Sequence, residues 1–169
     1  MLAMIDSEAP PSPPDEEAVA IVLAAIDTSA LANQVVDLAS RIARRTWSNA
    51  QLHLLHVYHS DRYDRLGHAG VDPEELVAEA KNYLDYYVRA ARRQCPAPVT
   101  GHLAKGDPAD EILERARSLN ADLVIVGTHD LVGLERFLLG TVAGKVAKHA
   151  LCPVLTVRTK KRPYVKVRE

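Results

Sequence analysis

The chain has 169 residues, a formal net charge of −1, two cysteines and 47% hydrophobic residues. That length is enough for one domain with a real core, and the near-neutral charge gives no global pull toward nucleic acid or an anionic membrane. No apolar run approaches the roughly 20 residues needed to span a bilayer. Cys95 and Cys152 stand in neither metal-like nor redox-like spacing, which leaves two free thiols suited to a reducing compartment.

Residues 1–17 carry Asp6, Glu8, Asp15, Glu16 and Glu17 without a base, plus Pro10, Pro11, Pro13 and Pro14. This composition reads as a disordered acidic arm. It has neither the basic start nor the apolar stretch of a secretory signal, so the expected compartment is the cytoplasm. Val19 to Ile26 is a continuous apolar run rich in β-branched residues, the pattern of a strand buried on both faces. Leu31, Val35, Leu38, Ala39 and Ile42 then fall on one face at the 3.6-residue period of a helix. Gln51 to Tyr58 is the second strand, and Asp72-Pro73 caps and opens a helix running through Arg93.

Val99 to Ala104 is a third, weaker strand. Gly106-Asp107-Pro108 is a turn and cap, opening a helix with Ile112, Leu113, Ala116 and Leu119 on its apolar face. Leu123 to Val126 is the fourth strand and stops at Gly127. Val142, Ala143, Val146, Ala147 and Ala150 mark one face of a last helix, and Pro153 to Val157 is the fifth strand. Arg158, Lys160, Lys161, Arg162, Lys166 and Arg168 make the tail basic, with 159–169 lying beyond the domain expected over 18–158. Two solvated ends are the simple reading of arm and tail, and nucleic acid is not an expected partner.

Strands and helices alternating at these lengths predict an α/β, doubly wound, five-stranded parallel sheet with helices on both faces, in the order 3-2-1-4-5. Ligands of such sheets bind beyond the carboxyl ends of the strands, where strand order reverses. Two polar loops fall at that edge. Asp27-Thr28-Ser29 follows the first strand, and Gly127 to Thr141 follows the fourth. Asp27 can accept hydrogen bonds from a sugar or base, while amides near Gly127 and Gly140, with the Thr141 hydroxyl, can donate to phosphate oxygens. His129 lies within the glycine-spaced segment, and Val57 or Tyr58 ends the second strand beside the crevice, where an adenine ring could lie.

The segments Asp27-Thr28-Ser29, Gly106-Asp-Pro-Ala-Asp-Glu-Ile112, Ala121-Asp-Leu-Val-Ile-Val-Gly127, Leu138-Leu-Gly-Thr-Val142 and Cys152-Pro-Val-Leu-Thr-Val157 together resemble the universal stress protein family, across nearly all of 18–158. The resemblance implies a Rossmann-like fold of the adenine nucleotide alpha hydrolase type, commonly a homodimer joined through the last strand. Some members bind ATP and some do not. The ATP-binding pattern is Gly, two residues, Gly, nine residues, then Gly and Ser or Thr. It maps without a gap onto Gly127, position 130, Gly140 and Thr141, and position 130 is Asp.

Asp130 bears on the site in two ways. If the backbone there needs positive φ, Asp adopts it less readily than Gly. A carboxylate about 5 Å from a phosphate charge, at an effective dielectric near 20, costs roughly 3 kcal/mol, on the order of a hundredfold in affinity. A bound Mg²⁺ reverses that sign, with Asp130 as ligand or holder of a coordinated water. Two readings therefore stand: an ATP-binding regulatory dimer, or a nucleotide-free dimer that engages a protein partner.

The remaining candidates have plain readings. His53, His56 and His59 alternate faces in a strand and cannot converge on one metal. Tyr83, Tyr86 and Tyr87 read as helix packing, and Lys145 and Lys148 as solvated. There is no Gly-x-x-x-x-Gly-Lys-Ser/Thr loop and no Gly-x-Ser-x-Gly elbow, so no dedicated catalysis is expected beyond slow ATP hydrolysis by positioning.

Overall fold

The computed structural model describes residues 19–46, 49–58, 72–128 and 140–158. Among them, strands β1 (Ala20–Ile26), β2 (Ala50–Tyr58), β3 (Val99–Lys105), β4 (Leu123–Thr128) and β5 (Val154–Arg158) alternate with helices α1 (Leu31–Thr46), α2 (Pro73–Gln94), α3 (Pro108–Ser118) and α4 (Thr141–His149). The strands form one parallel sheet in the order β3-β2-β1-β4-β5, as the sequence predicts.

β1 lies at the centre because its residues suit burial on both sides. Val22, Ala24 and Ile26 join Leu31, Val35, Val36 and Ala39 of α1 and Leu84, Val88 and Ala91 of α2 in one core cluster. Leu23 and Ala25 point the other way, into a second cluster with Ala109, Ile112 and Ala116 of α3 and Val146 of α4. The helices thus cover opposite faces in pairs. Asp122 locks the start of β4 to β1: its carboxylate accepts the Ile21 amide at 2.7 Å, while its own amide donates to the Ile21 carbonyl at 2.9 Å.

The caps are those the sequence announces. Asp72 accepts the Glu74 amide at 2.9 Å, and Asp107 accepts the Ala109 and Asp110 amides at 3.1 Å each. β4 runs two residues past Val126. Thr128 is buried, and its hydroxyl donates to the Val157 carbonyl at 3.3 Å, so the strand continues through Gly127 instead of ending there.

The histidines separate by face as their spacing requires, but neither described one is solvated: His53 is 7% exposed and His56 4%. His53 Nδ1 lies 2.8 Å from Nε2 of His102 on β3, one nitrogen donating and the other accepting, with the rings nearly parallel. Burial lowers the pKa of His53, and the Arg115 guanidinium of α3 lowers it further. The same two causes, then His53 itself, bring His102 down to about 4. His59 lies outside the described residues.

Two outcomes follow from this packing. A methyl group on Gly101 would meet Val88 Cγ2 at 2.8 Å and Leu84 at 3.3 Å, so the missing side chain is what lets α2 lie flat on β3. Gly101→Ala should therefore cost about 1–2 kcal/mol in urea denaturation, against the small gain such a change gives at an unstrained site. The histidine pair predicts a pH dependence. Both folded pKa values lie below the unfolded 6.5, so the unfolded chain takes up protons first, and the stability present above pH 6.5 is lost as pH falls toward about 4. After discounting for solvent screening, the loss between pH 7 and pH 5 should be about 1–2 kcal/mol. His102→Gln should remove most of it, and an unchanged denaturation midpoint over that range would contradict the pairing.

Candidate functional site

The strand order reverses beside β1: the chain steps outward through β2 and β3, then crosses to β4 and β5 on the other side. At the carboxyl edge, β1 and β4 separate after the pair Ala25 and Val126. Asp27 lies two residues past one of these and Thr128 two past the other, so the loops that follow flank the same opening. The ligand-binding position expected of a doubly wound sheet is therefore between β1 and β4.

On the β1 side, Asp27 is exposed and its carboxylate is shaped locally. Asp27 Oδ1 accepts the Ser29 amide at 3.1 Å and the Ser29 hydroxyl at 2.5 Å. Ser29 Oγ in turn accepts the Leu31 amide at 3.2 Å, capping α1. Val57 sits one residue past His56, the last β2 residue that pairs with β1. It is half-buried against the α3–α4 cluster and paired with Ala104 of β3. Sequence reasoning placed Asp27 and Val57 at this edge, and the structure places both there.

On the β4 side, Gly127 is inside the strand. A methyl group built on it would lie 3.5–3.7 Å from Leu31 and Val35 of α1, an ordinary contact. Packing among the described residues therefore does not itself require glycine at this position. Gly140 is the N-cap of α4, with no side chain to bond the first-turn amides, and Thr141 is the exposed first residue of the helix. His129 and Asp130 lie outside the described residues.

The helix N-termini at this edge differ in a way that bears on ligand binding. In α1, α2 and α3 a side-chain oxygen from Ser29, Asp72 or Asp107 accepts a first-turn amide. The α4 cap supplies no such oxygen. The first-turn donors of a helix need partners from elsewhere, and together with the dipole they suit an anion.

Lys145, one turn into α4, is exposed as the sequence suggested, but it is ion-paired, which the sequence did not show. Its ammonium lies 2.7 Å from Asp110 and 3.4 Å from Asp107 at the start of α3. The Asp110 contact is the larger cause of its raised pKa. Asp107 is shifted the other way, chiefly by the Asp110 amide and then by Lys145. These exposed ion pairs add little stability, and they link the second turn of α4 to the first turn of α3.

Sequence reasoning also missed Tyr83 of α2. Its hydroxyl donates to the main-chain carbonyl of Asp27. Burial first, then Tyr87, raises the Tyr83 pKa, so the hydroxyl keeps its proton for that bond. The available signal was the Tyr83–Tyr87 spacing on the buried face of α2, which reports burial but not a polar target. Among the described residues, no group of three or more His, Cys, Asp or Glu side chains could hold a metal ion, and no helix is long and apolar enough to cross a membrane.

Comparison with known proteins agrees with this geometry. The profile of the universal stress protein family matches residues 19–158. Universal stress protein YxiE of Bacillus subtilis is 31% identical over 146 residues, covering 81% of this chain and 97% of its own. Universal stress protein MJ0531 of Methanocaldococcus jannaschii is 50% identical over 88 residues, a match spanning 52% of each chain. The solved structure of the universal stress protein from Archaeoglobus fulgidus in complex with dAMP superposes with a TM-score of 0.59 at 25% identity, covering 82% of this chain and 97% of that one.

Proposed function

This chain belongs to the universal stress protein family, and we propose that it binds an adenine nucleotide, ATP in particular, in the crevice between β1 and β4. The observation that carries the reading is the pairing of an exposed carboxylate, Asp27, with an α4 N-terminus whose cap has no side chain, on the two sides of the strand-order reversal. The dAMP complex of the Archaeoglobus fulgidus relative supports the same ligand class.

In this reading Asp27 accepts hydrogen bonds from the ribose or base, and Val57 offers an apolar edge to the adenine ring. The first-turn amides after Gly140, with the Thr141 hydroxyl, hold phosphate oxygens at the positive end of the α4 dipole. Gly127 allows the ligand close to the strand end. His129 is assigned to the phosphates as well, and Asp130 to a Mg²⁺ ion bound with them. The role is regulatory binding in the cytoplasm, with turnover no faster than slow hydrolysis. Nucleotide affects the protein to the extent that it binds one arrangement of the two loops better than another.

Calorimetric titration of nucleotide-stripped protein with ATP tests this. Micromolar binding is expected, strengthened by Mg²⁺, and Asp27→Ala should weaken it about tenfold or more, the scale of a hydrogen bond to a charged group. No binding with or without Mg²⁺, restored by Asp130→Gly, would replace this reading with the nucleotide-free one.

We also assign the functional unit as a homodimer joined along β5. That strand is at the edge of the sheet, with Leu155 36% exposed on it and Leu151 91% exposed just before it. An edge strand bearing exposed apolar side chains invites pairing with another strand. Leu155→Glu should convert the dimer to monomer in analytical ultracentrifugation, and an unchanged mass would exclude β5 as the interface.

A further inference from the structure

Two successive main-chain carbonyls at the exit of β1 are each gripped by an aromatic side chain from a different element. His56 Nδ1 of β2 donates to the Ile26 carbonyl at 3.0 Å, and the Tyr83 hydroxyl of α2 donates to the Asp27 carbonyl. The two rings lie against each other, centroids 5.0 Å apart, and Tyr83 packs edge-on against Tyr87 at 5.0 Å. His56 is buried, so its donor reaches Ile26 where the β1–β2 ladder ends and no further main-chain pair is available. Asp27 is therefore held at both ends, by Tyr83 through its carbonyl and by Ser29 through its carboxylate.

We propose that Tyr83 and His56 are positioning residues of the nucleotide site, setting the direction in which the Asp27 carboxylate enters the crevice without touching the ligand. The inference rests on the nucleotide-binding reading given above. Its physical basis is preorganisation: a carboxylate already aimed at its donor loses less freedom on binding, so affinity depends on whatever fixes its backbone. A residue that served only core packing would act through its ring, and its hydroxyl would be dispensable.

The experiment is calorimetric titration of the full chain with ATP for wild type, Tyr83→Phe, Asp27→Ala and the double variant, with hydrogen exchange of residues 27–32 in the absence of nucleotide. Tyr83→Phe keeps the ring contacts and removes one oxygen. It should weaken ATP about fivefold to tenfold, the range one neutral hydrogen bond commands, and should speed exchange across 27–32. In the Asp27→Ala background the same change should cost less than twofold, because its effect passes through Asp27. His56→Asn, which keeps a donor near the Nδ1 position, should bind like wild type, whereas His56→Leu should lose several-fold.

Wild-type affinity in Tyr83→Phe, or an undiminished loss in the double variant, would overturn the assignment. If wild type itself binds no nucleotide, the functional reading falls separately. Exchange then decides the positioning role: unchanged rates across 27–32 in Tyr83→Phe would overturn that too.

Discussion

Burial of β1 on both faces is the constraint on which the rest of the molecule depends. A strand whose alternate residues, Val22, Ala24 and Ile26 against Leu23 and Ala25, fill two separate cores must lie in the middle of the sheet. A parallel sheet can grow outward from such a strand in two directions, and crossovers of one handedness then place the helices on opposite faces. The chain does this: α1 and α2 accompany growth toward β3, and α3 and α4 accompany growth toward β5. The crevice between the first loops of the two directions is a consequence of that reversal, present before any side chain in it is chosen.

Parallel strands also send each connecting helix away from the same edge, so the N-termini of the four described helices lie along the carboxyl edge on which the crevice opens. Their partial positive charges would favour any anion there. The sequence uses part of that capacity locally, with Ser29, Asp72 and Asp107 accepting first-turn amides of α1, α2 and α3. Lys145 occupies the carboxylates of Asp107 and Asp110 and so keeps the start of α3 from presenting bare negative charge beside α4. With glycine as its cap, α4 is the helix whose first turn receives no bond from a cap side chain, on the β4 side of the opening.

Most of this frame was legible in the sequence, because periodicity and caps are local. The order of elements, the caps at Asp72 and Asp107, and the position of Asp27 follow from residues a few places apart. The extension of β4 to Thr128 was not legible, since it depends on a hydroxyl reaching Val157, 29 residues away. The partners of Lys145 and Tyr83, and the pairing of His53 with His102, were hidden for the same reason. Each joins elements whose register is fixed only when the sheet forms. The glycine pattern was legible as spacing, and among the described residues packing does not account for glycine at Gly127.

The two sides of the crevice are anchored in different halves of the protein. Asp27 is held from α2, part of the core cluster on one face, while α4 packs through Val146 against Ala109, Ile112 and Ala116 of α3 in the cluster on the other. The faces are joined by the sheet, which is stiff and buried, and packed cores do not deform gradually. A ligand that bonds Asp27 and the α4 N-terminus together links the two helix pairs directly, at the one edge where both are reachable. Its binding free energy then acts on their relative placement, and any arrangement of the loops that brings Asp27 and α4 to the right separation is stabilised over the others. Because α4 runs directly into β5 at the sheet edge, such a shift reaches the strand through which a second copy would pair.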